Sequence, residues 1–210
     1  MRNLTILGTI LFFVLVGCGR PNFEVKSQGG TPDLAEKSFK PFLVYRDKGT
    51  KENHYIPSGF MPNGKCVSVD DAWQKNCYEG SSCIKVSYDV TCSRADQKWA
   101  GVYWLNPANN WGNQKGGFNL EGATELTFWA RGEKGGERIQ EFKMGGILGD
   151  FPDSDMAIIG PVILTNEWRK YSIDLRGKDL SYISGGFSWS TNSDVNPENC
   201  VFYLDNIRYE

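Results

Sequence analysis

Histidine occurs once in 210 residues. Metal centres and imidazole-based catalysis both need partner ligands or partner groups that a lone His54 lacks, so His54 reads as a hydrogen-bonding loop residue. Also missing are G-x-S-x-G, H-E-x-x-H and a phosphate-binding loop, the marks of a nucleophile elbow, a zinc protease and a nucleotide cradle. No excess of positive charge is present, the formal net charge being -2. A nucleic-acid partner needs a concentrated basic surface, so that class is excluded. Long Ala/Leu/Glu/Lys runs of the helical-bundle kind do not occur. No apolar run reaches the roughly 20 residues that cross a bilayer; the longest, Leu4 to Val16, falls short.

That short run has a role of its own. Arg2 supplies a positive start, Leu4 to Val16 an apolar centre, and Leu15-Val16-Gly17-Cys18 a small-residue end. This is the layout of a secretion signal. The tetrapeptide resembles the bacterial lipobox, which implies cleavage before Cys18 and lipidation of that cysteine. More than one acyl chain gives stable anchoring to a membrane. Gly19 stands where an inner-membrane retention signal has Asp, which points to the outer membrane or the cell surface. Residues 1–17 are thus expected to be a lipoprotein signal and 18–40 a tether rich in Gly, Pro and charge. Residues 41–210 are expected to form one domain.

Within that domain, aromatics (13% of the chain) and Gly (24 residues) are abundant. That composition favours many strands joined by turns, and the fold expected is an all-β, two-sheet antiparallel sandwich. Strands are predicted at 42–45, 66–71, 84–90, 99–104, 126–131, 139–144, 161–164, 169–175, 185–190 and 201–209. Ile84, Val86, Tyr88 and Val90 alternate with polar neighbours and so face the core. Leu126, Phe128 and Ala130 do the same, with Trp129 and Arg131 on the opposite face. Glu141 and Lys143 are expected on the same side as Trp129 and Arg131. Residues 52–62 and 145–160 read as loops. The second holds Asp150, Asp153 and Asp155, without EF-hand spacing, and reads as solvated.

Besides Cys18 there are five cysteines: Cys66, Cys77, Cys83, Cys92 and Cys200. Export permits disulfides. An odd count leaves one over, and the pairing is not readable from spacing; Cys77 has Cys66 and Cys83 as local candidates.

The stretch 101–143 concentrates the residues suited to a ligand. Asn109 and Asn110 offer both donors and acceptors, as sugar hydroxyls require. Trp111, Trp104 and Trp129 offer flat apolar faces, and Arg131 a fork of donors. Glu141, Lys143 and Trp189 stand behind them as further ligand candidates. A glycoside hydrolase would need two convergent carboxylates; Glu133, Glu137, Glu141 and Asp205 qualify by type alone, and no catalytic residue is assigned.

LTFWARG (126–132), EWRKYSIDL (167–175), GGFSW (185–189) and FYLDNIRY (202–209) together resemble the β-jelly-roll carbohydrate-binding modules of the galactose-binding-like superfamily. The resemblance implies a non-catalytic polysaccharide-binding domain. It also implies a structural calcium held by the acid of the last strand, which Asp205 matches, with Asp47 as the candidate partner. The alternatives are an envelope structural or protein-interaction domain and a glycoside hydrolase.

Overall fold

The computed structural model describes residues 39–62, 64–92 and 97–210. The expected signal, Cys18 and nearly all of the expected tether lie outside the described residues.

The described chain is almost entirely β. Thirteen strands run in order: β1 (Phe42–Tyr45), β2 (Ile56–Pro62), β3 (Val67–Trp73), β4 (Cys83–Tyr88), β5 (Trp99–Leu105), β6 (Glu125–Gly132) and β7 (Arg138–Ile139), then β8 (Glu141–Gly145), β9 (Met156–Ile159), β10 (Val162–Ile163), β11 (Arg169–Asp174), β12 (Gly185–Asn192) and β13 (Cys200–Tyr209). They form two antiparallel sheets and a short β10–β7 ribbon. One sheet has the order β11-β6-β13-β4-β3, with β1 also on β13; the other has β2-β5-β12-β8-β9.

The sandwich forms because each sheet has one apolar face to bury. From the six-stranded sheet come Ile84, Val86, Leu126, Phe128, Phe202 and Leu204, all fully buried. From the other come Val102, Trp104, Phe142, Phe187 and Trp189, also fully buried. Their rings meet across the gap: Phe128 lies 4.7 Å from Phe142 and 5.1 Å from Phe187, and Trp189 meets Phe202 edge-on at 5.0 Å. Offset and edge contacts of this kind add to the gain from buried area.

β13 is the hub of its sheet. Residues 200–204 pair with β4, 207–209 with β1, and the other edge with β6 across a bulge after Asp205. Asn206 takes φ 47° within that bulge, a value Asn tolerates better than most residues. Leu126, Phe128 and Ala130 lie in the core as their alternation requires. Ile84, Val86 and Tyr88 do too, whereas Val90 sits in a one-turn 3-10 segment, Val90–Cys92.

Three expectations fail. Residues 56–62 are a strand, not a loop, because Ile56 to Pro62 pair with β5 despite two prolines. Their edge position tolerates the missing N–H groups. Met156–Ile159 is an edge strand within the expected loop 145–160. Finally, β8 lies in the opposite sheet from β6, so Glu141 and Lys143 do not share a face with Trp129 and Arg131.

Two disulfides join Cys66 to Cys92 and Cys77 to Cys83, and Cys200 is a buried free thiol. Burial pushes the Cys200 thiol up to about 12, which leaves it protonated and unreactive at neutral pH.

Candidate functional site

The outward face of the five-stranded sheet forms a trough of about 400 Å³. Strand alternation builds it. On β5, Ala100, Val102 and Trp104 point into the core, which leaves Trp99, Gly101 and Tyr103 on the outside. On β12, Phe187 and Trp189 point inward and Ser188, Ser190 and Asn192 outward. β8 adds Glu141 and Lys143, and β2 adds Met61. Serines and Gly101 at the centre keep the floor low. Trp99 is 43% exposed and Trp111 41%. Trp111 stands edge-on to Tyr103 at 5.8 Å. Gly59 makes room for it, since a Cβ there would lie 2.9 Å from both Trp111 Cζ2 and Tyr103 Cβ. The Lys143 ammonium lies 5.0 Å over the Tyr103 ring.

The loop carrying Trp111 is shaped by asparagines that turn their amides toward the protein. Asn106 Nδ2 donates to the His54 carbonyl at 3.0 Å, and its Oδ1 accepts from Gly117 N–H at 3.1 Å. Asn110 is fully buried; it donates to the Asn106 carbonyl and accepts from Gly112 N–H. Asn109 is exposed at φ 60°, and its N–H reaches Ser58 Oγ at 2.9 Å. His54 stacks on Phe42 at 3.8 Å with Nδ1 3.0 Å from the Leu43 carbonyl, a loop-stabilising role as expected. Asp153 accepts N–H donors from Ile147, Ser184 and Gly185, and so pins the expected acidic loop to the start of β12.

Several ligand candidates are therefore corrected. Trp104 and Trp189 fill the core, and Asn110 is sealed inside its loop, so none of the three offers its side chain to a ligand. Glu141 and Lys143 line the trough and Trp111 lies beside it against Tyr103, while Asn109 is exposed on the loop that carries Trp111. Trp99, Tyr103, Met61, Ser188, Ser190 and Asn192 were missed by sequence reasoning. The alternation of GGFSWSTN held the signal for the β12 serines.

Trp129 and Arg131 lie on the far side of the molecule, on the outer face of the six-stranded sheet. Tyr78 stacks on Trp129 at 3.6 Å and 14°. Trp168 lies 6.3 Å from Tyr78 and 6.5 Å from Tyr203, and Trp73 lies 6.1 Å from Tyr203. The Arg131 guanidinium rests 3.8 Å over Tyr203, whose hydroxyl donates to Glu133.

The four candidate hydrolase carboxylates do not converge. Glu141 faces the trough, Glu133 is bound to Tyr203 on the opposite sheet, Glu137 holds the Lys134 N–H, and Asp205 is buried.

Asp47 and Asp205, the expected calcium ligands, both grip the disulfide-closed loop 77–83 through backbone N–H groups. Asp205 accepts from Tyr78, Glu79 and Asn206; Asp47 accepts from Ser81 and Ser82. These amides hold Asp47 below the usual carboxylate range despite some desolvation. Burial raises Asp205 to about 6, against the lowering effect of its three N–H partners. Cys77, Cys83 and Asp205 cluster within 4.8 Å, but the two sulfurs are spent in a disulfide. Asn206 Oδ1 is buried without a hydrogen-bond partner among the described residues. The two carboxylates and this oxygen make an acidic site of the kind the resemblance implies, fewer than the six to eight oxygens that calcium takes. Five amide donors already point at the two carboxylates, so both acids are satisfied without a cation. We expect the thermal midpoint to be unmoved by a chelator and lowered by a reductant that opens Cys77–Cys83. Calorimetry with each reagent checks this.

No family model matches the chain, and no curated protein does. Solved structures do. A crystal structure of a family 30 carbohydrate-binding module aligns with TM-score 0.52 at 15% identity, over 81% of this chain and 87% of that one. A second crystal structure of a family 30 module gives 0.51 at 14% identity, over 81% and 98%. The family 30 module of a cellulosomal cellulase of Clostridium thermocellum gives 0.49 at 15%, over 81% and 97%. The chain shares with the first two a jelly-roll β-sandwich.

Proposed function

We propose that the chain binds a polysaccharide, without cleaving it, along the outer face of the five-stranded sheet. The observation that carries this reading is the trough itself. It is a shallow channel with the exposed indole of Trp99 in its lining, that of Trp111 beside it against Tyr103, hydroxyl-bearing Ser188 and Ser190 on its floor, and the charged tips of Glu141 and Lys143. Flat rings suit the C–H faces of pyranoses, and mixed donors and acceptors suit their hydroxyls. The shared fold with carbohydrate-binding modules supports the same reading, as does the separation of the candidate carboxylates. The lipobox-like segment ending in Cys18 supports an exported, membrane-anchored lipoprotein, at the outer membrane or cell surface, with residues 18–40 as its tether.

A glycan array tests the binding. The native chain is expected to retain a defined set of neutral glycans. Trp99→Ala and Trp111→Ala are each expected to weaken binding about thirtyfold, the loss of roughly 2 kcal/mol typical of a truncated aromatic anchor. No retention by folded protein, or retention indifferent to both substitutions, would overturn the reading and favour a protein partner.

A further inference from the structure

We propose that the outer face of the six-stranded sheet is a second binding site, for a polysaccharide that carries carboxylates. It lies on the opposite side of the sandwich from the trough and does not depend on it.

Five rings touch in sequence across this face, Trp129, Tyr78, Trp168, Tyr203 and Trp73, of which Tyr203 is buried and links the others rather than meeting a ligand. Tyr78 is 40% exposed. The indole N–H groups of Trp168 and Trp73 are already bound to the carbonyls of Asn76 and Lys75, which fixes both rings. The disulfide Cys77–Cys83 and the carboxylates of Asp47 and Asp205 fix the loop that presents Tyr78. The strip is therefore preorganised, and a ligand need not immobilise it.

Cations interleave with the rings. Arg131 lies 3.8 Å over Tyr203 and 5.4 Å over Trp168. Lys85 lies 4.2 Å over Trp73, and Lys75 5.6 Å from the same ring. None of the three forms an ion pair among the described residues. The acids on this face keep their charge but are hydrogen-bonded to neutral groups, Glu133 to the Tyr203 hydroxyl, Glu79 to Asn206 and Asp70 to the Ala72 N–H, and none of them pairs with the three cations. Arg131 spends one N–H on the Gly132 carbonyl, and its other donors suit a carboxylate fork. The three unpaired cations thus suit carboxylates spaced along a chain, and the interleaved rings select one with flat apolar faces between its charges. Uronic-acid polysaccharides have both. An acidic peptide has the charge without the ring faces.

Affinity electrophoresis of the purified native chain through gels containing polygalacturonate or polymannuronate tests this. Retardation by at least one polymer is expected, weakened about tenfold or more by Arg131→Gln and by Trp168→Ala, and unchanged by Trp111→Ala. Lys85→Ala, which removes no ring, should weaken it several-fold without altering the circular dichroism spectrum, which keeps the test informative if Trp168→Ala unfolds. Retardation should resist competition by polyglutamate of equal charge. No retardation by either polymer, full competition by polyglutamate, or indifference to both Arg131→Gln and Lys85→Ala would overturn the second site. Each outcome leaves neutral-glycan binding at the trough to be judged on its own.

Discussion

Replacing Asp205 by Ala is expected to destabilise the domain by about 3 kcal/mol at pH 5, read as a lower urea midpoint. The carboxylate is fully buried and accepts three backbone N–H groups, from Tyr78, Glu79 and Asn206. Stranding buried donors costs roughly 1–3 kcal/mol apiece, with incomplete additivity among neighbours. The sign of the pH dependence follows from burial. Asp205 titrates at about 6 in the folded chain, against about 3.9 for a free Asp. Its contribution is therefore complete below pH 4 and lost as pH rises through 6. The gap between native protein and Asp205→Ala should accordingly narrow from pH 5 to pH 8. A gap that widened with pH would show a carboxylate stabilised by charge, as a bound cation would make it. Asp205→Asn, which keeps one acceptor oxygen, should fall between the two.

Trp104→Ala is expected to cost about 3–5 kcal/mol, the range for emptying a buried large ring. In a domain of this size that lowers the thermal midpoint by roughly 10 °C. Trp104 has no exposed surface and packs edge-on against Phe187 at 5.4 Å. Any loss of glycan binding in this variant should track its unfolding and vanish at low temperature. Trp99→Ala, five positions earlier on the same strand, should do the reverse, with little change in midpoint and a large loss of binding. Differential scanning fluorimetry beside binding at 5 °C separates the two behaviours.

The comparison of Trp99 with Trp104 also shows where sequence reasoning reaches its limit. On β5 the two alternating sets are Trp99-Gly101-Tyr103 and Ala100-Val102-Trp104, each with aromatic and small members. Period alone cannot say which set faces water, and the decision comes from pairing with β12 and β2. Where one set is plainly polar, as in Ile84-Lys85-Val86-Ser87-Tyr88, the face was legible. So was the all-β class, from composition and turn residues. β2 was not, because Pro57 and Pro62 mask an edge strand, and neither was β9, whose four residues are too few for a pattern. The separation of Trp129 from Glu141 could not be read locally either. It depends on the chain leaving the six-stranded sheet after β6 and joining the five-stranded one at β8, a matter of topology. Asp205 was legible only as the acid of the last strand that the resemblance implies for a calcium, and its partners are main-chain amides, which no side-chain motif announces.

β13 leaves the ribosome after every strand it joins. β1, β4 and β6 all precede it, and none of the three pairs directly with another. Until residues 200–209 are present, the larger sheet has no middle: it is two separate pairs, β3–β4 and β6–β11, with β1 apart. Loop closures this long form slowly. The two pairs can form early, but only β13 joins them and β1 into one sheet, so the larger sheet is completed when residues 200–209 arrive.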